Sequence, residues 1–170
     1  MEFKEYMIKR EPNLKDTLIT VLAYILAIVI GVSLFPILMI FGGLALLVVV
    51  GLLYFAYHFT SRFKKEFEYI VTEDCIDIDV IMNKSKRKRL LTFNIAQMEI
   101  IASVKDTNYI HMLMRSFDKT IDATSRKSDA NVYFALVEKN GKTLLKFEPP
   151  REMLEMIQRY SRSKVHICEE

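Results

Sequence analysis

An uncharged run of 44 residues, from Thr17 to Thr60, constrains this chain more than any other feature. Asp16 precedes it, and Arg62 is the first charge after it. As one straight helix the run would measure ~66 Å at ~1.5 Å per residue. That is about twice the ~30 Å hydrocarbon thickness of a bilayer. One crossing leaves apolar length unused and three need more than the run has, so a hairpin of two transmembrane helices is expected. The bend is expected at Ser33-Leu34-Phe35-Pro36, because proline cannot continue the helix before it and suits the first turn of the next. The chain then divides into an N-terminal segment (1–16), the hairpin (17–60), one folded domain (61–165) and a tail (166–170).

The residues after the hairpin are enough for one core and too few for two. The hydrophobic fraction of 51% belongs largely to the hairpin. From Ser61 onward there are 20 Lys/Arg and 17 Asp/Glu, a net of +3, which is too mild to mark a nucleic-acid binder. A cleavable signal peptide is not expected, since its apolar region would be only ~7–15 residues long. Cys75 and Cys168 are too few for a disulfide scaffold and lack metal-site spacing, so two reduced thiols are expected.

Lys9, Arg10 and Lys15 precede the first helix, Arg62, Lys64 and Lys65 follow the second, and the connection between them is uncharged. The positive-inside rule therefore places both termini in the cytoplasm of a multi-pass membrane protein. Ala23, Ala27 and Gly31 form a small-residue stripe on the first helix; Gly43 and Gly51 provide small positions on the second. Such positions let helix backbones approach closely, within the hairpin or against another membrane subunit. Neither span holds an Asp, Glu, Lys or Arg on which an ion or proton path could be built.

Beyond Arg62 the hydrophobic period changes to two. Phe67, Tyr69 and Val71 alternate with Glu66 and Glu68; after a turn at Glu73-Asp74, Ile76, Ile78, Val80 and Met82 alternate with Asp77 and Asp79. Further strands are expected at Leu90–Phe93 and Gln97–Ala102, with weaker ones at Tyr109–Met114 and Thr120–Asp122. Val132–Lys139 and Lys142–Glu148 flank Asn140-Gly141, a pair that favours a type I′ hairpin turn. Pro149-Pro150 then stops the sheet and opens a helix with Met153, Leu154, Ile157 and Tyr160 on one face. The expectation is α+β: about seven antiparallel strands in a bent sheet or small barrel, closed by a C-terminal helix.

Phe67-Glu68-Tyr69, Asp77-Ile78-Asp79, the stretch from Asn83 to Leu90 and Phe147-Glu148-Pro149 resemble a family of small Firmicutes membrane proteins. In that family two helices precede a bacterial pleckstrin-homology-like domain of unknown function. The resemblance spans nearly the whole chain and implies a PH-like fold at a membrane, without catalytic residues.

No phosphate-binding glycine loop, zinc-protease helix or nucleophile elbow is present, and five glycines in total leave little for a nucleotide loop. Asp77 and Asp79 share one strand face and are expected to be solvated. His111, Met112 and Met114 read as the two sides of a strand rather than as a soft metal site. No catalytic residue, metal or cofactor is expected.

The constellation that stands out is Lys84, Lys86, Arg87, Lys88 and Arg89, five cations within six residues. Stacking aromatics are missing from it, which argues against nucleic acid. It is either a solvated turn or a contact for anionic lipid headgroups, where each cation gains ~1 kcal/mol near the surface. If β-strands run out from the membrane and back, this segment joins Arg62, Lys64 and Lys65 in a basic collar. The leading expectation is a non-enzymatic membrane-anchored module that contacts anionic lipid and presents a surface to a membrane or cytoplasmic protein. The alternative is an accessory subunit of a larger membrane complex, recognised through its hairpin. A homo-oligomer is compatible with either.

Overall fold

In the computed structural model, which describes residues 3–40, 44–128 and 130–168, the segment ahead of the apolar run is a β-strand. Strand β1 (Phe3–Lys9) pairs antiparallel with β2 (Lys65–Thr72), from Phe3 opposite Thr72 to Lys9 opposite Glu66. The sequence reading leaves this segment outside the domain. Its apolar residues Phe3, Tyr6, Met7 and Ile8 fall on both faces, so no period of two marks it, and of these four only Ile8 is buried. The helices are thus inserted between two neighbouring strands. The chain divides into a strand unit (Met1–Arg10 with Glu66–Glu170) and a helical unit (Glu11–Lys65).

The strand unit holds two four-stranded sheets in place of the single bent sheet or barrel expected. The first has the order β1-β2-β3-β4, with β3 at Cys75–Met82 and β4 at Lys86–Asn94. The second comprises β5 (Met98–Ser103), β6 (Lys119–Asp122), β7 (Tyr133–Glu138) and β8 (Lys142–Phe147), in the order β5-β7-β8-β6. Seven antiparallel strands become eight, and β6 runs parallel to β8. The Asn140-Gly141 hairpin forms as expected, with positive φ at both residues (52° and 117°) joining β7 to β8.

The inward residues Phe67, Tyr69, Val71, Ile76 and Ile78 meet Ile101, Ala135, Leu145 and Phe147 of the second sheet in one core. Helix α3 (Arg151–Tyr160) completes it, starting directly after Pro149-Pro150. Its buried face is Met153, Leu154, Met156 and Ile157; Tyr160, expected among them, is 45% exposed. The chain after α3 is no loose tail at its start. Val165 is fully buried, and the His166 N–H donates to the Ile101 carbonyl at 2.9 Å.

The segment expected as a strand at Tyr109–Met114 is a 3-10 turn, Ile110–Met114. Tyr109, Met112, Leu113 and Phe117 cover the outer face of the second sheet over Ile100, Phe134, Leu136 and Leu144. An apolar outer face needs a cover, and this irregular segment supplies it.

In the helical unit, α1 spans Leu14–Met39 and α2 spans Leu44–Ser61. Helix α1 begins at an Asn13 cap, whose Oδ1 accepts the Leu14 N–H at 2.9 Å. It continues through Pro36, so the turn between the helices falls after Met39, later than the sequence suggests. Apolar helices tolerate such a proline, which frees the Val32 carbonyl; one turn earlier the Ser33 hydroxyl donates to the Val29 carbonyl at 2.8 Å. Leu14–Ile37 is long and apolar enough to cross a membrane, with mean hydropathy 2.7; Leu46–Ser61 is a shorter apolar helix. The helices pack at Gly31, where a methyl group would stand 3.6 Å from Val49 Cγ2, and Ala27 is buried. Ala23 is half-buried. A methyl at Gly51 would meet nothing within 4 Å, so this position faces open space. Gly43 lies outside the described residues.

Candidate functional site

Strand alternation divides the basic segment into two groups with different fates. The β3–β4 register sets Arg87 opposite Ile81 and Arg89 opposite Asp79, on the outer face of the first sheet. Lys86 and Lys88 stand opposite Met82 and Val80, on the other face, at the end where the core runs out. A bulge between Ile78 and Asp79 shifts the register before this point.

The guanidiniums are committed to carboxylates. Arg87 pairs with Glu68 and, at 3.6 Å, with Asp79; Arg89 pairs with Asp79 at 3.0 Å and Asp77 at 3.1 Å. Glu68 and Asp79 are each only 2% exposed, while both arginines are about half exposed. The sequence reading puts Asp77 and Asp79 on a solvated face. They do lie on the outer face, but the arginine side chains cover Glu68 and Asp79 and exclude water from them. Hydrogen bonding to Asp79 pushes the Arg89 pKa up, against the opposing effect of burial. Glu68 Oε2 is buried, with the Arg87 guanidinium as its charge partner.

Lys84, Lys86 and Lys88 are exposed, and among the described residues none has an ion pair. Asn83 and Lys84 both adopt positive φ (51° and 55°), and the Ser85 N–H donates to the Met82 carbonyl at 3.2 Å, closing a tight turn. Lys84 holds a left-handed conformation that glycine would adopt at lower cost. This turn lies at the same end of the first sheet as Lys9 and Glu66, the two points where the chain passes to the helical unit. Arg62 and Lys64 are exposed at the end of the helical unit; Lys65, half-buried, opens β2.

The other candidates do not converge. Met112 packs on the second sheet, while Met114 is 87% exposed. Cys75 and Cys168 are free thiols, both half-buried; burial, then Asp77 and Asp74, push the Cys75 thiol up.

One buried group went unread in the sequence. The Tyr69 hydroxyl donates to the Ala123 carbonyl and receives the Glu148 N–H at 3.3 Å, tying the first sheet to the second. Burial pushes its pKa far above the ordinary tyrosine value. The Glu148 carboxylate in turn accepts from the Ser125 N–H at 2.6 Å and hydroxyl at 3.0 Å. A tyrosine in an alternating strand reads only as core; its polar end can be assigned only once the facing loop is placed.

The family described as bacterial PH-like domain (DUF6106) matches residues 2–167. The chain belongs to this family. The match covers β1, both helices and the strand unit together, so in this PH-like chain the helices lie inside the span of the family rather than ahead of it. No curated protein and no solved structure matches the chain.

Proposed function

We propose that this chain is a non-enzymatic, membrane-anchored cytoplasmic module. Its Asn83–Lys88 turn contacts anionic lipid headgroups, and the rest of the strand unit is left for a protein partner. The observation that carries the reading is the set of three lysines without ion pairs, gathered at the end of the sheet from which the chain passes to the apolar helices. An ammonium group near an anionic leaflet gains ~1 kcal/mol, provided it lies within about 10 Å of the surface. Helices α1 and α2 cross as a pair. The 18 residues of α2 reach ~27 Å, and Arg62, Lys64 and Lys65 snorkel to the headgroups. Basic residues at both outer ends of the pair favour cytoplasmic termini. This is also the plan of the two-helix Firmicutes family that the sequence resembles.

The test uses the strand unit made continuous by joining Arg10 to Glu66 through a short turn. It should sediment with anionic vesicles at low salt and not with neutral ones. The triple variant Lys84→Gly, Lys86→Gln, Lys88→Gln should lose roughly 100-fold in affinity, corresponding to ~3 kcal/mol. Equal sedimentation of parent and variant, or none by the parent, defeats the reading.

One observation favours a second reading, an accessory subunit recognised through its helices. Gly51 leaves a notch on α2 that α1 does not fill. A membrane partner that remains bound after removal of the strand unit, and is lost with Gly51→Leu, would support it.

A further inference from the structure

Strand β1 is an edge strand: β2 lies on one side of it and, among the described residues, no strand on the other. Among the described residues, the only strand that bonds to the backbone of Phe3–Lys9 is β2. Beside this edge runs a groove of ~580 Å³, floored by Tyr6–Lys9 and walled by the loop through Ser125 and Lys127 and by Glu148–Arg151. Its size suits a short peptide segment. Four residues of β1 line it, which is ~13 Å of extended edge.

The charges of the groove are unbalanced. Among the described residues Lys9, Lys127 and Arg151 line it, and the one carboxylate is Glu148, already bonded to Ser125. Arg151 shares its charge with exposed Glu155, whereas Lys9 and Lys127 have no ion pair among the described residues. The loop stretch Ser125–Asn131, counting Arg126, Lys127 and Asp129, is net +1 by sequence. The same lysines that protect an edge strand from pairing with arbitrary chains admit an acidic one.

We propose that this groove is a docking site for an extended acidic peptide segment of a protein partner, which adds to the first sheet beside β1. Main-chain hydrogen bonds to the free edge hold the segment, and Lys9, Lys127 and Arg151 select its carboxylates. This names the class of partner for the protein-binding part of the reading above. It uses none of the three lysines of the lipid turn, so the two stand or fall separately.

The probe is the peptide acetyl-Glu-Val-Glu-Val-Glu-Val-Glu-amide, titrated by fluorescence anisotropy into the full chain in neutral detergent without anionic lipid. Its Lys-for-Glu counterpart is the charge control. Two further peptides carry backbone N-methyl groups, one on every valine and one on every internal glutamate. Strand addition uses alternate N–H groups, so one methylated peptide should bind like the parent and the other at least ten-fold more weakly. Lys127→Glu, on an exposed loop, should weaken the parent peptide at least ten-fold, and Lys9→Gln should weaken it further. Failure of the acidic peptide to bind, or binding no tighter than its lysine counterpart, overturns the proposal. So does equal binding of both methylated peptides, which would mean charge attraction without strand addition, as inorganic phosphate or an anionic vesicle would also give.

Discussion

Neutralising the arginines of the basic segment should destabilise the strand unit, whereas neutralising its lysines should leave the fold alone. Arg87→Gln removes the charge partner of Glu68 and one of the two arginine partners of Asp79. The desolvation of those carboxylates, each 2% exposed, is then no longer offset. Removing one partner of a fully buried pair costs ~3–5 kcal/mol. The guanidiniums here are about half exposed, so water already weakens the pairs and about 2–3 kcal/mol is the better expectation. At ~4 °C per kcal/mol for a domain of this size, the midpoint should fall by about 8–12 °C. Lys86→Gln with Lys88→Gln removes two charges, one more than Arg87→Gln, and should still stay within ~0.5 kcal/mol. The chain has no tryptophan, so the assay is near-ultraviolet circular dichroism of its tyrosines, Tyr69 among them, during heating in mild detergent. Glu68→Gln added to Arg87→Gln should restore part of the loss, because the unpaired buried charge goes with it. Equal midpoints for the arginine and lysine variants would refute the division of the segment into committed and free cations.

Joining Arg10 to Glu66 should give a soluble, cooperatively unfolding unit, because Lys9 and Glu66 are opposite each other in the β1–β2 ladder. A fragment beginning at Ser61 lacks β1, leaves β2 as a bare edge, and should aggregate or be cut rapidly by protease. Leu154→Ala should cost ~2–5 kcal/mol in urea unfolding, while Tyr160→Ala, on the exposed side of α3, should cost under ~1 kcal/mol. In a Cys168→Ser background, Cys75 should alkylate slowly near about pH 8. Its thiol is pushed up, so the thiolate forms late and the rate should still climb where an ordinary thiol has levelled off.

Most of the strand unit was legible because half-buried strands impose a period of two, and Asn140-Gly141 specifies its own turn. What escaped has physical reasons. Strand β1 is apolar on both faces, so its periodicity carries no sign of a sheet, and its partner β2 is separated from it by the whole helical unit. Tyr109–Met114 has apolar residues at spacings that fit a strand, yet they serve as a lid over the second sheet. Pro36 is a strong breaker in water but weaker within an apolar helix, so the inter-helix turn was placed too early. At the candidate site, the sequence displayed five cations but not their ownership. That depended on which face of β4 carries Glu68 and Asp79 as neighbours, a fact of register. The bulge at Ile78/Asp79 that sets the register has no mark in the residues themselves.

Whether the Asn83–Lys88 turn meets the membrane surface can be read by quenching in the intact chain. With Cys75→Ser and Cys168→Ser, a fluorophore on Ser85→Cys is read in nanodiscs containing headgroup-spin-labelled lipid, with anionic or neutral matrix lipid. A turn at the surface gives strong quenching in the anionic bilayer that falls with added salt and with Lys84→Gly, Lys86→Gln and Lys88→Gln together. A fluorophore on Glu73→Cys, at the opposite end of β2, should remain bright throughout. Equal, weak quenching at both positions, indifferent to lipid charge, would contradict the claim and leave the turn as a solvated end of the sheet.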